Sequence, residues 1–144
     1  ELRVLDTPLR PAHAAALASY ARELCIEAHG RPGAWPSDSS RELYAWNRFN
    51  AAKEGVSAIW IDPENGTRLP VSEVVENDLQ RLSAVSLDPG FGTACEVIRE
   101  LMAKGGQARW LTAHMEAGSG VNDIARVASE MFDLPDERVT RVKP

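Results

Sequence analysis

The sequence predicts a helix-rich α+β protein, and three observations carry that reading. Apolar residues recur at three- and four-residue steps along most of the chain, the period of an amphipathic helix. One short run at the N-terminus alternates with period two, as a strand does. A second β-like run is followed by an Asn-Gly pair, the strongest short-range signal for a hairpin.

Taken in order, Glu1 to Asp6 is the alternating run, with Leu2 and Val4 on one face and Glu1 and Arg3 on the other. Thr7-Pro8 ends it, since proline cannot donate to a ladder. Residues 11–29 form a helix with Ala14, Leu17, Ala21, Leu24 and Ala28 as its apolar stripe. Pro11 suits its first turn and Gly30 its stop. Arg31 to Asp38 is a proline- and glycine-bearing loop. A second helix is expected from Ser40 to Glu54. Ser39 and Glu42 stand at capping-box spacing, and Gly55 stands as the stop. Its apolar stripe is Ala45, Phe49 and Ala52. Asn47, Asn50 and Glu54 share a polar stripe, which spacing alone assigns to solvent.

Val56 to Ile61 reads as a strand with Ile59 and Ile61 facing a helix. Asp62 to Gly66 is the turn, and Thr67 to Leu69 the return strand, which Pro70 places at an edge. Helices follow on Val75, Leu79, Leu82 and Val85, then on Ala94, Val97, Ile98 and Leu101 up to Gly105-Gly106. Another is marked by Trp110, Leu111, His114 and Met115. The last carries Val121, Ile124, Ala125, Ala128 and Phe132, with Ser119 as its N-cap and Pro135 as its stop. The expected organisation is one domain over residues 1–135 and a loose polar tail over 136–144.

Composition excludes several classes. The formal net charge is −5, and no basic run accompanies an aromatic cluster, so nucleic acid is not an expected partner. No apolar run approaches the roughly 20 residues of a membrane span. The two cysteines, Cys25 and Cys95, read as buried free thiols, which fits a reducing cytoplasm, with a disulfide between them as the alternative. His13, His29 and His114 are scattered, without metal-ligand spacing, and His114 reads as a satisfied structural histidine. Trp35, Trp46, Trp60 and Trp110 read as packing residues. Gly90 to Gly92 lacks the lysine and spacing of a phosphate loop.

Two constellations can carry chemistry. Glu1 and Arg3 share one strand face. A carboxylate there suits a hard cation such as Mg²⁺, and a guanidinium suits a transferring phosphoryl group. The bland alternative is a solvent-facing ion pair. The second is the Asn47, Asn50 and Glu54 stripe with Arg48 beside it. Asp62 and Glu64 belong to turn chemistry before any metal role.

The run Glu1 to Leu9, Glu-Leu-Arg-Val-Leu-Asp-Thr-Pro-Leu, resembles the motif opening the C-terminal part of the glutamate–cysteine ligase type 2, or carboxylate–amine ligase, family. Trp46 to Gly55, Trp-Asn-Arg-Phe-Asn-Ala-Ala-Lys-Glu-Gly, is similar to that family's later helix. Ile61-Asp62-Pro63 and Asn65-Gly66 resemble the hairpin that follows it. The order and gaps of the three segments agree, and the likeness runs from Glu1 to about Leu101.

The resemblance implies the C-terminal portion of a glutamine-synthetase-like ligase fold, with an N-terminal strand and one β-hairpin. It implies ATP and Mg²⁺ as cofactors and amino acids as substrates. A carboxylate, commonly the γ-carboxylate of glutamate, would be activated as an acyl phosphate and joined to an amine, commonly that of cysteine. By the motif match Glu1 would hold the metal and Arg3 would face the phosphate as the catalytic arginine. Arg3, Asn47 and Arg48 would face or brace the nucleotide cleft. The missing N-terminal part of the same protein would be the chief partner, so the fragment alone is expected to be inactive. A strand orphaned from its sheet would also favour self-association. The competing reading is a non-catalytic helical interaction or oligomerisation module.

Overall fold

A computed structural model describes residues 10–30 and 38–133. The expected N-terminal strand, with Glu1 and Arg3, and the C-terminal tail lie outside the described residues. The elements run α1 (Pro11–His29), α2 (Asp38–Glu54), β1 (Ile59–Ile61), β2 (Arg68–Pro70), α3 (Val71–Ser83), α4 (Phe91–Ala103), α5 (Gly106–Glu116) and α6 (Val121–Asp133). The protein is thus helix-rich α+β, with β1 and β2 forming a two-stranded antiparallel sheet. By its internal contacts the chain divides into two compact units, residues 20–92 and residues 1–19 with 93–144.

The first unit is built around the hairpin. Gly55 adopts φ +63°, a left-handed conformation that costs a residue with a Cβ far more than glycine, and α2 stops before it. The chain then makes one 3₁₀ turn over Gly55–Ser57, closed by the Ala58 N–H donating to the Gly55 carbonyl at 3.1 Å. That turn consumes the first half of the expected strand, so β1 is only three residues long. Ile59 pairs with Pro70, Trp60 with Leu69 and Ile61 with Arg68. The loop between them is held by its own side chains. Asp62 Oδ1 accepts from the Glu64 N–H at 2.7 Å and Asn65 Oδ1 from the Thr67 N–H at 2.8 Å. Gly66 supplies the left-handed residue at φ +74°. Asn65-Gly66 therefore sits at an exposed turn, as the sequence predicts.

Two strands of three residues cannot stand alone in water. Each side of this sheet has its own support. Trp60 and Leu69, a cross-strand pair, are half-buried toward α3, which begins directly after Pro70. The Val71 N–H donates to the Ala58 carbonyl at 2.8 Å and fixes the start of α3 against the strand. The outer edge of β1 is met by α2 through one side chain. Asn47 Nδ2 donates to the Ile61 carbonyl at 2.7 Å, and the Ile61 N–H donates to Asn47 Oδ1 at 2.9 Å. The amide makes the two bonds that a neighbouring strand would make.

This clamp inverts the expected orientation of α2. Asn47 is 2% exposed, with Leu43, Asn50 and Ala51 half-buried on the same face. Ala45, Phe49 and Ala52, the expected apolar stripe, are exposed. It also explains why Ile59 is 43% exposed where the pattern placed it against a helix. α2 approaches the edge of β1, and α3 approaches the face opposite Ile59 and Ile61.

The remaining boundaries show smaller corrections. α2 begins at Asp38, so Ser39 lies inside its first turn and not at the cap. Val85 falls beyond α3 and is exposed. Buried positions on α1 are Ala16 and Glu23, seven residues apart, and not the Ala14–Ala28 stripe. Cys25 is exposed; Cys95 is buried, and both are free thiols.

Across the first unit, α1 and α3 are joined by a polar network. The Tyr20 hydroxyl donates to Asp78 Oδ2 at 2.7 Å, and Arg81 pairs with Asp78 and Glu27. Burial first, and then the hydrogen bond to the Asp78 carboxylate, push the Tyr20 phenol well above its ordinary range. Arg81 is also raised, chiefly by its hydrogen bonds to Glu27 and Asp78. Leu79, Leu82, Ala58 and Phe91 are the buried apolar residues of this unit. Asp88 orders the following loop: its Oδ1 accepts from the Gly90 N–H at 2.8 Å and its Oδ2 from Arg22 at 3.0 Å.

The second unit contains α5 and α6 with the parts of α1 and α4 that fall within it. Among the described residues Ala16, Ala94, Cys95, Val97 and Ile98 are its buried apolar ones. Gly105 and Gly106, at φ +74° and +72°, turn the chain from α4 into α5. The Ser119 N–H donates to the His114 carbonyl at 3.0 Å, which closes α5. Gly120, not Ser119, occupies the position before α6, and its carbonyl accepts from Ile124. His114 donates from Nδ1 to the Trp110 carbonyl at 2.9 Å, the satisfied structural histidine that the sequence predicts.

Two outcomes check this packing. Asn47→Ala should cost about 3 kcal/mol in urea unfolding, because it strands a buried N–H and C=O. Asn47→Asp should not rescue, because its second carboxylate oxygen would face the Ile61 carbonyl in a buried site; a loss below about 0.5 kcal/mol in Asn47→Ala contradicts the clamp. For Tyr20 the folded state holds the phenol proton at pH values where the unfolded chain, with a pKa of about 10, has lost it. That contribution is fully present below about pH 10 and is lost as pH rises above it. Tyr20→Phe should lower stability by about 1 kcal/mol at pH 7 and flatten the decline above pH 10. An unchanged alkaline slope would contradict the buried hydrogen bond.

Candidate functional site

The two motif segments that fall within the described residues meet at the hairpin. Trp46 to Gly55 covers the second half of α2 and its stop, and Ile61 to Gly66 covers the end of β1 and the loop. Asn47 is the joint between them. Its two bonds to Ile61 leave one amide hydrogen and one oxygen lone pair uncommitted by those contacts. Arg48, the next residue, is on the exposed side, as are Trp46 at 56% and Phe49 at 64%. The helical period explains the divergence: adjacent residues point about 100° apart, so Asn47 faces in while Arg48 faces out. Asn50 is half-buried and Glu54 is exposed beside Lys53, its ion-pair partner at 2.9 Å.

A cavity of about 260 Å³ opens between the hairpin and α3. Trp60, Asp62, Asn65, Thr67, Asn77 and Asp78 supply its polar lining. Among the described residues no lysine, arginine or histidine lines it. Carboxylates, amides, a hydroxyl and an indole suit a neutral or cationic ligand; Asp78 is already neutralised by Arg81, and a phosphate would meet the Asp62 carboxylate. Both aspartates already serve the fold, Asp62 in the loop and Asp78 with Tyr20 and Arg81. Sequence reading singled out Asp62 but missed Tyr20 and Asp78. Their pairing joins residues 58 apart in sequence, and periodicity carries no trace of it.

Glu1 and Arg3 lie outside the described residues, so the structure places neither beside Asn47 or Arg48. Among the described residues no three His, Cys, Asp or Glu side chains gather into a metal site. No described helix is long and apolar enough to cross a membrane.

Comparison with known proteins gives these residues their context. The sequence model of glutamate-cysteine ligase family 2 matches residues 1–129. That span contains both the Glu1–Leu9 motif and the Asn47 clamp. A protein from Janthinobacterium sp. (strain Marseille) named "Putative glutamate--cysteine ligase 2" is 31% identical over 133 residues, covering 92% of this chain and 36% of the relative. A protein of the same name from Azoarcus sp. is 35% identical over 114 residues, covering 76% of this chain and 29% of the relative. Another from Herminiimonas arsenicoxydans is 29% identical over 133 residues, with shares of 92% and 36%. The chain thus spans about a third of the length of the curated relatives it matches. With a family match covering most of its residues, including the motif built into the hairpin, the chain belongs to glutamate-cysteine ligase family 2.

Proposed function

We propose that this chain is the C-terminal part of an ATP-dependent carboxylate–amine ligase with a glutamine-synthetase-like fold, joining glutamate to an amine such as that of cysteine. The observation that carries the reading is the family match over residues 1–129, which spans the opening motif and the α2–hairpin motif in one alignment. In such a reaction a carboxylate oxygen takes the terminal phosphoryl group of ATP and ADP leaves. The amine nitrogen then attacks the acyl carbon, phosphate departs, and the amine gives up a proton as the amide forms.

The residues of this chain have distinct parts in that scheme. Arg3 offers two parallel N–H donors to phosphoryl oxygens, whose shared charge grows as the bond to ADP breaks. Glu1 is a hard oxygen donor of the kind Mg²⁺ takes. Glu1 would be one of several oxygen donors to the metal, which would supply charge neutralisation for the phosphates. The other ligands would come from substrate phosphates, water and the rest of the ligase. Asn47 braces the hairpin from inside the helix, and Arg48 presents its guanidinium outward from the same helix, toward the cleft of the whole protein.

A second reading, a helical interaction or oligomerisation module, draws on the exposed aromatics Tyr44, Trp46 and Phe49 of α2. The ligase reading accommodates the same face as surface that meets the rest of the enzyme. The module reading has no use for Glu1 and Arg3 side by side.

Steady-state kinetics on the whole ligase separate the two. Arg3→Ala should lower kcat on the order of a hundredfold or more, the loss typical of one preorganised donor. Arg3→Lys should rescue poorly, because an ammonium lacks the planar fork. The isolated 144-residue chain should release no ADP from ATP with glutamate and cysteine. Near-normal turnover in a folded Arg3→Ala enzyme would remove Arg3 from the mechanism, and steady ADP release by the isolated chain would refute its dependence on the remaining protein.

A further inference from the structure

The unit formed by residues 1–19 and 93–144 contains a cavity of about 330 Å³, at the lower end of the size range of small-ligand pockets. Leu101, Trp110 and Met131 give it an apolar wall. Arg10, Lys104 and Arg109 bring three cations to the same space, against the single carboxylate of Glu100. This is an unusual local balance in a chain whose formal net charge is −5. Lys104 is engaged by Glu100, one helical turn before it. Arg10 and Arg109 are different: among the described residues neither has a carboxylate partner.

The backbone is shaped to bring Arg109 here. Gly105 stands at φ +74°, and a Cβ placed on it would lie 2.5 Å from Arg109 Cδ and 3.2 Å from its Cβ. The Arg109 stem therefore runs across the bare face of Gly105, where a Cβ would push it aside. Arg109 is itself exposed, so its guanidinium is open to a ligand from solvent.

We propose that this cavity binds a small amphipathic anion, an oxyanion head on an apolar body, with Arg10 and Arg109 receiving the head and Leu101, Trp110 and Met131 the body. Planar guanidinium donors match the oxygens of a carboxylate or a phosphate monoester. The apolar wall adds burial that an inorganic anion cannot use. This site lies apart from the hairpin and its motif residues, and it stands or falls independently of the ligase reading.

Isothermal titration calorimetry of the 144-residue chain with four probes tests it: octanoate, octyl phosphate, octanol and inorganic phosphate. Octanoate or octyl phosphate should bind about tenfold or more tightly than octanol, and inorganic phosphate should bind more weakly than either anionic amphiphile. Whichever amphiphile is tighter identifies the head group. The preference over octanol should shrink between 50 mM and 500 mM salt, a measurement that needs no variant. It should vanish in the Arg10→Gln/Arg109→Gln double variant, checked for native circular dichroism. Equal binding of octanol and both anions would overturn the proposal. So would an unchanged preference in the folded double variant, or inorganic phosphate binding as tightly as the amphiphiles.

Discussion

The fold around the hairpin depends on one side chain satisfying one strand edge. β1 is too short to hold itself, and among the described residues its outer edge offers the N–H and C=O of Ile61 to no third strand. Asn47 supplies both partners from α2. An unpaired backbone group in that position would cost as much as several ordinary surface contacts contribute. A polar residue therefore occupies the most buried position of a helix whose aromatics stay outside. The left-handed Gly55 and its 3₁₀ turn bring the chain from the end of α2 back alongside it, so that Ile61 meets Asn47 fourteen residues later.

The same constraint explains where sequence reading succeeded and where it failed. Helix existence was legible, because three- and four-residue spacing survives in α1, α3, α4, α5 and α6. The hairpin was legible from Asn65-Gly66, whose conformation is a local property. The inward face of α2 was not. Periodicity ranks faces by apolarity, and Ala45, Phe49 and Ala52 outrank Leu43, Asn47 and Ala51 on that scale. Only the partner of Asn47, a backbone on another element, reverses the ranking. Glu23, buried on α1 against the expected stripe, is a second case in which tertiary context overrides the pattern. The short β1 has the same origin, since nothing in Val56 or Ser57 signals a 3₁₀ turn apart from the glycine before them.

The polar residues of the candidate site were only partly legible. Asn47 and Arg48 were singled out through motif likeness, and one helical step leaves the first side chain buried and the second exposed. Tyr20, Asp78 and Arg81 were missed because each reads as an ordinary polar position on its own helix. Arg10 and Arg109 were missed for the same reason, their shared cavity being a product of the turn at Gly105-Gly106. Among the described residues the lining of the hairpin cavity holds no lysine, arginine or histidine, and Arg81 reaches it only through its ion pair with Asp78.

Amide hydrogen exchange at Ile61 is the most direct test of the clamp. This N–H lies on the edge of β1 that faces away from β2, so its protection comes from Asn47 alone. If the clamp holds the hairpin to α2, the Ile61 amide exchanges only through an opening as costly as that of the Trp60 amide, inside the ladder. Exchange of Ile61 at the rate of an open strand edge, with Trp60 still protected, would contradict it.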